Sequence, residues 1–108
     1  MFQNIAFKDQ LIMAIRARRK VQINYKGSGW RTMCPHILFV GPSGNELIEA
    51  YQISGYSSHR WNAGPLADWR TFSIDYITDL KITNETFDTA PGYDPSNSYK
   101  YPRIIEKV

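Results

Sequence analysis

The chain has a single cysteine, Cys34, in 108 residues. One thiol cannot close an internal disulfide, so a disulfide-stapled secreted scaffold is excluded and a reducing, cytoplasmic setting is expected. No apolar run approaches the roughly 20 residues that span a bilayer, so no membrane association is expected. The segment from Met1 to Ile15 is broken by Lys8 and Asp9 and lacks the basic-then-apolar order of a secretory signal. Catalytic signatures are missing too. There is no G-x-S-x-G, no glycine-rich phosphate loop ending in Lys-Ser/Thr and no H-E-x-x-H, so no enzymatic activity and no cofactor are expected. The two histidines, His36 and His59, and one cysteine are too few for a zinc cage, so no metal is expected. A Cys34/His36 nucleophile pair is disfavoured because Pro35 separates the two and nothing orients the imidazole.

The residues present describe a folding chain. Hydrophobic residues make up 43% and charged residues 21%, enough apolar mass for one core and too little charge for disorder. A single domain over residues 1–108 follows. Charge is unevenly spread: from Met1 to Arg31 seven cations face Asp9 alone, whereas the remainder holds six cations and nine carboxylates. A basic N-terminal third suits an anionic partner, and equally a solvated helix face beside a basic strand.

Phe7, Leu11, Ala14 and Ile15 recur at helical spacing, with Lys8, Arg16, Arg19 and Lys20 turned away, which predicts a helix over 5–19 with Asn4 as its N-cap. From Val21 to Tyr25 the pattern alternates strictly, the mark of a half-buried strand. Lys26-Gly27-Ser28-Gly29 reads as a hairpin turn. A second strand begins at Trp30, is interrupted at Pro35 and resumes from His36 to Val40. After a turn at 41–45, Glu46 to Gly55 is a third strand and 56–68 a long loop. Trp69 to Asp75 and Asp79 to Phe87 are the last two strands. The tail over 88–108 is irregular and proline-rich. Its tyrosines point to packing on the body, and Ile104 and Ile105 end it as a short strand or a helical turn. One helix and five short strands predict a mainly β (α+β) fold built on a strongly bent sheet or partly closed barrel.

Three segments carry a more specific signal: Arg19-Lys20-Val21-Gln22-Ile23-Asn24-Tyr25, then Arg31 through Pro35-His36-Ile37-Leu38, then Trp69-Arg70-Thr71-Phe72-Ser73-Ile74-Asp75-Tyr76-Ile77. In that order and spacing, over about Leu11 to Leu80, the chain resembles the WYL domain family. The resemblance implies a five-stranded Sm-like or SH3-like barrel serving as a ligand-sensing module in bacterial transcription regulation. The implied ligand is single-stranded nucleic acid or a nucleotide-like anion, and the family is not enzymatic. Tyr25 and Arg70 match its pocket-lining positions, with Arg31 and His36 expected to converge on them. The sequence departs from the family in having Glu46-Leu47-Ile48 at the Trp-Tyr-Leu position, and Ser73 and Tyr76 where arginines are usual. It also lacks a helix-turn-helix module, as expected of a stand-alone member.

Each candidate has a structural counterpart. Arg70 shares its strand face with Phe72 and Ile74, so it contacts a ligand or pairs with Asp75 or Asp94. His36 binds a ligand or fills the barrel rim. Asp75 reads as the cap of a short turn. His59, Arg60 and Trp61 place cations beside an aromatic, a stacking platform for unpaired bases or an anchor for their loop. Arg16, Arg19 and Lys20 are further candidate contacts for nucleic acid or a protein partner. A protein-interaction module, docking on a partner or forming a homodimer, is the competing reading.

Overall fold

A computed structural model describes residues 6–55 and 68–108. One helix, α1 (Phe7–Ala17), precedes strands β1 (Arg19–Tyr25), β2 (Trp30–Val40), β3 (Glu46–Gly55), β4 (Asp68–Ser73), β5 (Ile77–Thr86) and β6 (Arg103–Lys107), with a 3₁₀ turn at Ile74–Tyr76 between β4 and β5. The fold is mainly β: an antiparallel sheet of six strands with one N-terminal helix. No helix among the described residues is long and apolar enough to cross a membrane.

The helix ends two residues before the predicted Arg19. Arg18 turns left-handed (φ 52°) and its N–H caps the carbonyls of Ala14 and Ile15, which frees Arg19 to open β1. At the other end the cap position is Ala6, which has no side-chain acceptor; the predicted cap, Asn4, lies outside the described residues. Leu11, Ala14 and Ile15 are buried, as the helical stripe required.

The sheet runs β4-β3-β2-β1-β5, and β6 pairs with β2. Six strands therefore replace the five expected, because Ile104 and its neighbours extend along the far half of β2. One edge of β2 is thus divided, with Trp30 to Met33 on β1 and Ile37 to Val40 on β6. Pro35 does not interrupt β2 as expected. The strand is continuous, and the ladder to β3 absorbs the irregularity as a bulge: Pro35 faces Ala50, Ile37 faces Glu49, and His36 is the extra residue. Among the described residues no pairing of β4 with β5 closes the sheet.

Strand alternation sorts side chains onto two faces. Val21, Ile23, Met33, Leu38, Ile48, Ala50, Phe72 and Leu80 form the main core with α1. The opposite face carries Ile37 and Phe39, which the C-terminal tail covers with Tyr101 and Tyr93. Tyr93 and Tyr101 thus pack on the body as expected, whereas Tyr99 is 95% exposed.

Gly55, at the end of β3, sits against β2 with φ +100°. A β-carbon there would lie 2.4 Å from Arg31 Cα and 2.5 Å from the Trp30 carbonyl oxygen. Only glycine combines that dihedral with that approach. Gly55→Ala is expected to cost about 2–3 kcal/mol in urea denaturation, from backbone strain and overpacking together.

Candidate binding site

Arg31 is placed by register. It pairs with Ile23 on β1 and lies two residues before Met33, so its side chain enters the core face, where it is 7% exposed. A guanidinium buried at that depth needs electron-rich neighbours. Its central carbon lies 5.4 Å from the centre of the Tyr25 ring and 5.1 Å from that of Phe72. The two rings meet edge to face at 5.0 Å. The Tyr25 hydroxyl accepts the Ser73 backbone N–H at 2.9 Å, fastening the end of β1 to the end of β4.

Around Tyr25 the cluster continues to the surface. The Lys26 ammonium lies 4.9 Å from the centre of the Tyr76 ring and 5.7 Å from that of Tyr25, and the two tyrosines are perpendicular at 6.2 Å. Tyr76 is 53% exposed. The Lys26 N–H donates to the Tyr76 carbonyl at 2.8 Å, so the hairpin turn and the 3₁₀ turn are joined by backbone as well. A second cation–aromatic pair lies on the other sheet face, where Lys81 sits 4.6 Å from the Trp30 ring centre, diagonally across β1.

Arg70 joins this side of the sheet, on the same face as Phe72 two residues further along β4. Neither Asp75 nor Asp94 is its ion-pair partner. Asp68 holds it at 3.1 Å, on the same face two residues earlier, and Arg70 also donates to the Trp69 carbonyl at 3.0 Å. Two hydrogen bonds, from the Trp69 N–H and from Arg70, keep the Asp68 carboxyl below its ordinary range.

His36 does not join Tyr25 and Arg31. Five residues after Arg31 on the same strand, it points to the opposite face by alternation alone, fully buried, with its ring 4.8 Å from Trp69, 5.0 Å from Phe87 and 5.2 Å from Tyr93. Nδ1 donates to the Cys34 carbonyl at 2.7 Å and Nε2 accepts the Ala90 N–H at 3.0 Å. That pairing defines a neutral Nδ1–H tautomer, and burial lowers its pKa below the ordinary value. Both ring nitrogens hold backbone, so His36 is an anchor for the tail. Cys34 is buried beside it, and burial pushes the thiol pKa up, away from nucleophilic use.

Several cations of the basic N-terminal third are paired among the described residues. Arg16 pairs with Glu106 at 2.7 Å, Lys20 with Glu85 at 3.2 Å and Lys8 with Glu46 at 2.6 Å, while Arg19 reaches the Thr83 carbonyl at 3.5 Å. Carboxylates from the acidic remainder of the chain thus return to the basic part. His59, Arg60 and Trp61 lie outside the described residues. Among the described residues no group of three or more His, Cys, Asp or Glu side chains is placed to hold a metal ion. Asp75 makes no capping bond in the 3₁₀ turn.

Sequence reasoning missed Lys26, Phe72 and Tyr76 as partners of Tyr25 and Arg31. A signal was available for Phe72, since it alternates with Arg70 on one strand face. None existed for the meeting of Lys26 with Tyr76, fifty residues apart and brought together only by the sheet. No family, no curated protein and no solved structure matches the chain.

Proposed function

We propose that this protein is a non-enzymatic regulatory binding module of the WYL kind, taking single-stranded nucleic acid or a nucleotide-like anion at the Tyr25–Lys26–Arg31–Tyr76 cluster. The observation that carries the reading is the half-exposed Tyr76 ring with the Lys26 ammonium beside it and Arg31 behind Tyr25. An exposed aromatic face stacks any base, and a neighbouring ammonium meets the phosphate that accompanies it. Arg70, on the same face, adds a cation whose exposed partner Asp68 a phosphate can replace at little cost.

A partly open Sm-like or SH3-like barrel is part of this reading. Ser73 pairs with Leu47, which pairs with Phe39 at the far end of β2, whereas Ile77 pairs with Tyr25, beside the start of β2. On a flat sheet those ends would lie about 30 Å apart along the strands. The link from Ser73 to Ile77 spans at most about 14 Å. A curled sheet reconciles the two, and the bond from Ser73 to the Tyr25 hydroxyl fits the same curl.

Fluorescence anisotropy with a labelled oligonucleotide tests the function. Binding is expected at low salt and should weaken steeply as salt rises. Tyr76→Ala should weaken it about 5- to 100-fold, the loss of one stacked base. Lys26→Ala should mainly flatten the salt dependence. Absence of binding at low salt overturns the proposal. The ion pairs that occupy Arg16 and Lys20 favour the second reading, a protein-docking module, which predicts a stable complex with a partner and indifference to oligonucleotides.

A further inference from the structure

A groove of 460 Å³ lies between the start of α1, the β2–β3 hairpin, the 3₁₀ turn and β6. It shares the 3₁₀ turn with the aromatic cluster, and its lining combines opposite charges with two apolar side chains. Val40 and Ile105 are its apolar lining residues, Lys8 and Glu46 form one wall, and Asp75 and Arg103 supply the remaining charges. Lys8 and Glu46 neutralise each other at 2.6 Å, so that wall is closed on itself. Asp75 and Arg103 are different. Both are exposed, and among the described residues neither side chain makes an ion pair or a hydrogen bond, with each other or with anything else.

Their backbones are nevertheless fixed. Arg103 is held in register against Val40 by the β2–β6 ladder. Asp75 sits in the middle of a 3₁₀ turn that closes with the Ile77 N–H on the Ile74 carbonyl and is tied to β1 through Tyr76. A carboxylate and a guanidinium are thus presented from two separate elements into one groove without meeting. The volume falls within the range of about 300–1,000 Å³ usual for small-molecule sites, which lie between elements and combine apolar walls with a few polar groups.

We infer that this groove binds a small zwitterion of the amino-acid class with an apolar side chain. The Arg103 fork takes the ligand's carboxylate, a geometry for which guanidinium is suited. Asp75 accepts from the ligand's ammonium, and Val40 and Ile105 cover its side chain. Neither charge alone selects such a ligand. A simple anion leaves Asp75 facing like charge, and a simple cation leaves Arg103 so placed.

Calorimetric titration of the full chain with L-leucine, N-acetyl-L-leucine and L-leucinamide tests this. Leucine is expected to bind at millimolar or lower concentration, and blocking either end should weaken binding about tenfold or more, as losing a charge-assisted contact does. Arg103→Gln should abolish discrimination against leucinamide while keeping it against N-acetyl-leucine; Asp75→Asn should do the reverse. Both positions are exposed, so both variants should melt with the parent protein, and Arg103→Gln should leave the effect of Tyr76→Ala on oligonucleotide binding unchanged. No binding of leucine overturns the inference. So does equal binding of all three compounds, or N-acetyl-leucine binding as well as leucine, which would mark an anion site only.

Discussion

Acidifying the protein from about pH 8 to about pH 5 is expected to loosen its C-terminal tail before it unfolds the sheet. His36 is the cause. Its Nε2 accepts the Ala90 N–H at 3.0 Å, so a proton there sets two donors facing each other in a buried aromatic pocket. Burial and Arg18 depress the folded-state pKa against the opposing effects of the Cys34 carbonyl bond and Glu49. A depressed pKa means that the unfolded chain binds the proton more tightly. Stability is therefore complete above the ordinary value of 6.5 and is lost as pH falls below it towards the folded-state value. The slope for one proton is about 1.4 kcal/mol per pH unit. Denaturant titrations at several pH values check it, and Trp69, in contact with the His36 ring and donating to the Pro91 carbonyl at 2.8 Å, offers a fluorescence readout of the tail. His36→Ala should cost about 3–5 kcal/mol at neutral pH, because it removes a fully buried ring with both its bonds. It should also abolish the slope near pH 6. A wild-type protein whose stability is flat across this range would refute the account.

The second large effect belongs to Glu49, a carboxylate 3% exposed in the middle of β3. Thr71 donates to one oxygen at 2.6 Å; Lys100 at 2.8 Å and Tyr101 at 3.0 Å donate to the other. Burial alone would raise the pKa of this acid, but the three hydrogen bonds outweigh it and the net displacement is downward. Its contribution is therefore present above the ordinary value of 4.5 and disappears as pH falls through the lower folded-state value, a window distinct from that of His36. Glu49→Ala leaves the buried Tyr101 hydroxyl without its acceptor and is expected to cost about 2–4 kcal/mol. Glu49→Gln keeps the shape and should cost less, while removing the acid dependence below pH 4.5. A denaturation midpoint for Glu49→Ala equal to that of the parent would contradict this assignment.

How much of this was legible in the residues depended on whether the relevant partner was local. The stripe Leu11–Ala14–Ile15 and the alternation from Val21 to Tyr25 act within one element, and both appear as read. The turn at 26–29 forms too, with Lys26 and Gly27 at positive φ and the Ser28 N–H on the Tyr25 carbonyl. Pro35 misled because its missing donor is tolerated inside a bulge, which depends on the partner strand. The sixth strand was half legible: Ile104 and Ile105 allowed a short strand or a helical turn, and without strong alternation only the open half of β2 decides for the strand. Arg70 was correctly seen to need a counter-charge, yet Asp68, two residues earlier on its own face, was passed over for more distant carboxylates. Tyr25 and Arg31 meet, and His36 does not join them: it lies five residues after Arg31, so strand alternation alone puts the two on opposite faces, a parity readable in the sequence but passed over. Glu49 carried a readable signal, an acid between Ile48 and Ala50 in an otherwise apolar strand, that no expectation took up.

The divided edge of β2 has a consequence for synthesis. Ile37-Leu38-Phe39-Val40 emerges from the ribosome long before Arg103 to Lys107, which must pair with it. Until Arg103 to Lys107 follow, an apolar strand edge remains uncovered on the nascent chain, a template for pairing with other chains. Because its cover is non-local, it also forms slowly by the usual dependence of folding rate on contact separation. Pairing of that short segment with β2 thus covers an edge that would otherwise seed aggregation, and substitutions that break the β2–β6 ladder would be more damaging than its five residues imply.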